Sequence, residues 1–283
     1  MRKKCDGVFM ELLKNRETNP TFMIGAALAL FIGGITLVSF FYLPYDYNAM
    51  DSARRFAPPG PEHLMGTDNF GRDVFSRVMM GARYTLLTAL LTVAGSAAAG
   101  SALGMLAAYA GGLRDEIIVR IMDTLSSFPG ILLALVMVSL FGNSHTTLII
   151  ALLILFIPGF TRIMRNGMLR YKNRDFVLAA RIAGVPALRI IFVHIFPNLL
   201  PSLLSASVLG LSNAILAEST MSFLGLGIQP PVPSWGRMLS ESQGFLFNAP
   251  WSALSPGIMI MLTVLAFHYL GDGLKDRGSQ ETG

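Results

Sequence analysis

The chain has 283 residues, of which 53% are aliphatic, aromatic or Cys and only 14% are charged, against roughly 25% charged in an average soluble domain. That balance excludes an ordinary soluble domain and points to a polytopic membrane protein. The net charge of +5 and the pI near 9.6 read as basic rims facing anionic lipid, not as a nucleic-acid surface.

A membrane-spanning helix needs about 20 mainly apolar residues, and six stretches approach that length: Thr21–Leu43, Tyr84–Tyr109, Ile121–Phe141, Thr146–Thr161, Ile195–Leu216 and Trp251–Leu270. The expected fold is therefore an all-α polytopic bundle of six transmembrane helices. The first stretch is too long for a signal-peptide core, and no small-x-small cleavage site follows it at Tyr42-Leu43-Pro44-Tyr45. It is read as a retained helix. The fourth is short and interrupted by Pro158. Six spans put both termini on one side. With the N-terminus inside, sixteen Lys/Arg fall on the inner segments and six on the outer ones. The positive-inside rule then gives an N-in, C-in orientation. Cys5 is the one Cys, on the side assigned as cytoplasmic, so no disulfide forms within the chain.

Between the first two spans lies a segment rich in Pro, Asp and Arg, running to Arg83. It reads as a turn-rich connection without a core of its own. From Gly71 it becomes helical, with Val74, Val78 and Tyr84 opposite Arg72, Ser76 and Arg83, suiting either a short interfacial helix or a plain connector. Gly66-Thr-Asp-Asn-Phe-Gly-Arg-Asp73 has phosphate-loop glycine spacing, but Arg72-Asp73 replaces the needed Lys-Ser/Thr, so no nucleotide site is expected. In the second span, Gly100 and Gly104 have GxxxG spacing, which suits close packing within the bundle or against another subunit. Units are expected at 1–83 (tail, first helix and external segment), 84–275 (a five-helix core with coupling helices near 174–193) and 276–283 (tail).

The stretch from Arg162 to His194 carries seven Lys/Arg and one acid, Asp175. Asp175 is placed to cap a helix beginning near Phe176, with Ala179, Ala180 and Ala183 on a smooth face. Gly184 sits where a C′ glycine ends a helix, and Pro186 fits the first turn of the next, whose Leu188, Ile191 and Phe192 share a face. Two short helices joined by Gly-x-Pro make a rigid projection. From composition alone, a basic loop with incidental helicity fits as well.

This insert resembles the coupling motif of ABC-importer permeases: Glu-Ala-Ala, a Gly four residues on, and a later Ile-x-Leu-Pro. The chain has Ala179-Ala180, Gly184 and Phe196-Pro197, with Leu178 in place of the leading Glu and His194 in place of the Ile. Gly66–Asp73, Ser76-Arg77, Gly81-Ala-Arg83, Ala108-Tyr-Ala-Gly-Gly112, Asp115, Arg120, Asp123 and Phe128-Pro129 are similar to the C-type permease subunits of dipeptide, oligopeptide and nickel importers. So are Ser222-Phe-Leu-Gly-Leu-Gly227, Pro230-Pro-Val-Pro-Ser-Trp-Gly236 and Gly271-Asp-Gly-Leu-Lys-Asp276. The resemblance implies a type I importer (MetI-like) permease fold in a bacterial inner membrane. It implies a homologous second permease, two cytoplasmic ATPase subunits that hold the ATP and Mg, and an external substrate-binding protein. It also places the ATPase contact at Arg174, Asp175, Ala179, Ala180, Gly184 and Pro186.

No cofactor is expected in the chain itself. His63, His145, His194 and His268 share no ligand spacing, and the sixteen Met read as bundle filler. Asp123 is expected to pair with Arg120 or Arg162, and His268 to be interfacial. Glu218, deeper in the fifth span, is a candidate for the substrate path or gate. The expected function is a passive permease subunit forming half of an ATP-driven import pathway for short peptides. Nickel or a metal chelate is the alternative cargo. An intramembrane serine protease using Ser144-His145 is a remote one, because an adjacent pair in a short loop is poor geometry for a nucleophile and its base.

Overall fold

The computed structural model describes residues 20–280, so Cys5 and the basic N-terminal tail lie outside the described residues. The helices are α1 (Pro20–Phe41), α2 (Val74–Ala110), α3 (Gly112–Ser127), α4 (Gly130–Phe141), α5 (His145–Tyr171), α6 (Asp175–Ile182), α7 (Ala187–Phe223), α8 (Trp235–Ser242) and α9 (Trp251–Gln280). Among the described residues there is no strand, only an isolated bridge between Thr67 and Asp73. Five helices, α1, α2, α5, α7 and α9, are long and apolar enough to cross a membrane.

The sixth expected span, Ile121–Phe141, falls across the α3–α4 pair, which is bent by 91° at the break between them. Pro129 accounts for the break, because a residue before proline is driven out of the helical region, and Phe128 takes φ −80°, ψ 131°. Pro158, by contrast, lies within an unbroken α5. Neighbouring helices make such an interruption tolerable in a bundle.

Small residues set the closest approaches. Gly100 and Gly104 lie against the α5 backbone, where a Cβ at Gly100 would come within 2.8 Å of Ile157 O. The GxxxG pair thus packs within the chain, and α2 against α5 is the most extensive helix contact. Gly25 of α1 does the same against Ala266 and Leu270 of α9. The start of α1 and the end of α9 therefore lie together at one pole, the pole that also carries α6. The opposite pole carries α8 and the segment that links α1 to α2.

That linking segment is better anchored than a plain connection. The helix expected near Gly71 is continuous with the second span, and both of its faces are covered. Val74 and Val78 are buried, and so are Ser76 and Arg77. Asp73 caps α2 by accepting from Ser76 N at 2.7 Å and also contacts His63 Nδ1 at 2.9 Å. Arg72 and Arg77 both reach Glu241 of α8, at 3.1 and 3.0 Å, and Asp68 pairs with Arg72 at 2.6 Å. The start of α2 packs onto α8, so Arg72 and Ser76 form no exposed polar face for an interface.

Candidate functional site

α6 projects between the ends of α5 and α7. Its N-cap is Arg174, not Asp175, and no side chain caps it; Asp175 occupies the first turn, where its charge still complements the helix dipole. At the other end the chain closes a Schellman turn. Gly184 N donates to Arg181 O at 3.0 Å and Val185 N to Ala180 O at 3.1 Å, with Gly184 at φ +72°. Pro186 is then the N-cap of α7, one position earlier than expected.

The two sides of α6 differ. Val177 and Ala180 are buried among Met105, Met164, Met168, Ile190 and Ile191, which makes the seat. Asp175, Phe176, Ala179, Ile182 and Ala183 are exposed on one face, Ile182 at 89%. Arg174 and Arg181 flank that face. The six residues anticipated for this contact are all at one pole, yet Ala179 and Ala180 point opposite ways. The start of α7 also departs from expectation. Ile190–Ile195 is a π-helical stretch in which Ile190, Ile191 and Ile195 are buried and Phe192 is exposed, while Leu188 is exposed in the turn before it.

Residues not singled out for this site brace it. Lys172 Nζ donates to Ala108 O at 3.0 Å, taking up a free carbonyl near the end of α2. Arg165 grips Asp115 with two bonds, at 2.6 and 2.7 Å, tying α5 to the start of α3. The acid was visible in the sequence, but its partner 50 residues on was not. Asp123 pairs with Arg162 at 2.7 Å, as one of its two expected partners.

Glu218 lies far along α7, roughly 45 Å from Pro186 at 1.5 Å of rise per residue. Its side chain is fully buried, at 0% exposure. Ser222 Oγ donates to it at 2.7 Å and Ser219 Oγ at 3.4 Å, with Thr85 and Ser234 also within bonding reach. Those hydroxyls come from α2, α7 and the N-cap of α8. Ser234 also accepts from Arg237 N at 3.2 Å, and the adjacent Trp235 donates Nε1 to Val78 O at 3.0 Å. Gly236 lies on the backbone of Ser219, where a Cβ would fall 2.7 Å from its Cα. The carboxyl thus pins α8 across two spans, inside the chain and not on an open wall.

Three other arrangements raised by the sequence do not form among the described residues. Ser144 caps α5 through Thr147 N at 3.1 Å, while His145 Nε2 meets Thr88 at 2.6 Å, so the two form no nucleophile–base pair. In the glycine-spaced loop, Asp68 Oδ1 accepts from Phe70 N and Arg72 N, the donors a phosphate would need. Among the described residues no group of three His, Cys, Asp or Glu could hold a metal ion.

Residues 100–278 match the family described as binding-protein-dependent transport system inner membrane component. The chain belongs to that family. The dipeptide transport system permease protein DppC of Alkalihalophilus pseudofirmus is 38% identical over 266 residues, covering 94% of this chain and 88% of the relative. DppC of Escherichia coli (strain K12) is 42% identical over 266 residues, covering 92% and 89%. The glutathione transport system permease protein GsiD of Pectobacterium atrosepticum is 38% identical over 257 residues, covering 89% and 85%. An inward-facing structure of the MetNI methionine ABC transporter superposes with a TM-score of 0.60 at 17% identity, covering 71% of this chain and 96% of that one, a likeness of fold alone. This member of the inner-membrane component family is thus a multi-pass bacterial inner-membrane permease with a MetI-like fold. It is a channel component and not an enzyme.

Proposed function

We propose that this permease forms half of a translocation pathway for short peptides and is driven by ATPase subunits that dock on α6. The observation that carries the reading is the two-sided α6: one face locked to the bundle, the other presenting Phe176, Ala179 and Ile182 exposed among the described residues. A stiff lever of this kind transmits force only when something grips its free face. Arg174 flanks the grip, Asp175 and Ala179 lie in it, and Ala180, Gly184 and Pro186 hold its shape.

The α6 pole is then cytoplasmic and both termini lie inside, which agrees with the excess of Lys/Arg on those segments. Residues 84–275 act as the permease core, with 1–83 and 276–283 as flanking segments. A homologous second permease, two ATPases carrying ATP and Mg, and an external binding protein complete the assembly. Glu218 acts at the outer gate, by fixing α8 to α2 and α7 instead of touching cargo.

The test is ATP-dependent uptake by proteoliposomes holding the full assembly, with labelled dipeptide and nickel in parallel. Dipeptide uptake that disappears when this chain is omitted is the expected result. Nickel uptake alone would overturn the cargo assignment.

A further inference from the structure

The helix α7 carries a line of uncharged polar side chains on its open face. Asn198, Ser202, Asn213 and Thr220 are exposed and Ser205 is half-buried. At 100° per residue all five fall within one narrow sector of the helix, and the line runs from near the start of the span to its far end. Flanking positions are occupied. Leu199 and Leu203 pack towards α5, Ala217 and Met221 towards α4 and α5, and Ser212 Oγ donates to Val264 O of α9 at 3.3 Å. The polar line therefore faces the opening between α5 and α9.

Lipid does not account for it. The exposed side of α1 shows what a lipid face looks like here: Leu30, Phe31, Leu37, Val38 and Phe41. On α7, by contrast, Asn213 exposes a primary amide in mid-span that has no side-chain hydrogen bond among the described residues. Polar groups at this depth face a partner or water. A packed partner helix is the weaker explanation, because such faces favour small residues, whereas Leu209 and Leu216 stand in line with Asn213. Asn198, Ser205 and Thr220 turn their donors onto their own helix, at His194 O (2.6 Å), Pro201 O (3.0 Å) and Leu216 O (2.8 Å). Their oxygens remain available as acceptors.

We propose that this face of α7 lines the conduit and hydrogen-bonds the amide groups of a peptide as it passes, with Asn213 as the principal contact. The line bears no charge, so neither terminus of a zwitterionic peptide is held by an ion pair. The proposal rests on the peptide-permease reading above.

The chain's single Cys allows a direct test in a Cys5→Ser background. Asn213→Cys and Ser202→Cys, with Leu37→Cys as the lipid-facing control, are made in the assembled transporter and exposed to a charged, membrane-impermeant thiol reagent. The two α7 positions are expected to react and to be slowed by dipeptide, while the control stays inert. In uptake assays, Asn213→Leu should raise KM about fivefold or more with ATP hydrolysis unchanged, and Asn213→Gln should recover most of the loss. No reaction at Asn213→Cys in any nucleotide state, or unchanged KM in Asn213→Leu, would overturn the proposal. Absence of dipeptide uptake by the wild-type assembly would overturn the cargo reading, while labelling, which needs no transport, decides separately whether the face is wet.

Discussion

Ala180 is buried in the same apolar cluster as Met164, Met168, Ile190 and Ile191, while Ala179, one residue earlier, is exposed among the described residues. Substitutions at these neighbours should therefore fail differently. Ala180→Glu buries a charge with no partner, and the amount of permease in the membrane is expected to fall together with uptake. Ile182→Ala leaves that seat untouched. Burying an Ile side chain contributes about 2 kcal/mol, so its loss should weaken ATPase co-purification by roughly thirtyfold at normal permease levels. Equal losses of permease in both variants would contradict the two-sided reading. At Glu218 the same logic separates shape from charge. Glu218→Ala leaves several buried hydroxyls without an acceptor and is expected to cost about 3 kcal/mol, measured as a lowered unfolding midpoint of the purified assembly. Glu218→Gln keeps an oxygen acceptor in the same volume and should cost less. An alanine variant as stable as wild type would remove Glu218 from the gate. Sequence alone marked Glu218 because an acid in an apolar span stands out. The hydroxyls around it were invisible, since Ser and Thr in a helix carry no sign of which distant helix they will face.

Between α6 and α7 the connection is decided by backbone conformation and not by space. A Cβ at Gly184 would meet nothing within 4 Å, yet φ is +72°. Gly184→Val should therefore open the Schellman turn through strain alone, about 1–2 kcal/mol from the left-handed backbone and more for a branched side chain. Gly184→Asn should retain most uptake, because Asn tolerates that conformation. Equal uptake in the two variants would show that the turn has no role in transmission. This turn was legible in the sequence, since Gly followed by x-Pro punctuates helices in a known way. The bend at Phe128-Pro129 and the burial of Arg77 were less so. A proline inside an apolar run gives either a kinked span, as at Pro158, or a broken one, and the neighbours decide which. Arg72 reads in sequence as the polar side of an interfacial helix, and its burial and that of Arg77 depend on Glu241, which lies 169 and 164 positions away in sequence.

Across the molecule, α7 is the one element that leaves the α6 turn and ends beside α8, so it is the direct mechanical route between the two poles. Its first turn is the weak point, with Leu188 and Arg189 exposed and the π-helical stretch beginning immediately after. A double Leu188→Gly, Arg189→Gly substitution removes no buried side chain but costs helix stiffness, about 1 kcal/mol per glycine. The face of α6 is unchanged in that variant, so the ATPases should still bind and hydrolyse ATP at close to the wild-type rate. Uptake should fall by more than about tenfold, because the lever then turns without moving the span. Parallel measurement of phosphate release and dipeptide uptake in the same proteoliposomes separates the two. If hydrolysis and uptake fell together, the exposed residues at the start of α7 would belong to the docking surface itself. If neither fell, force would have to travel through α5 and the Asp115–Arg165 brace instead.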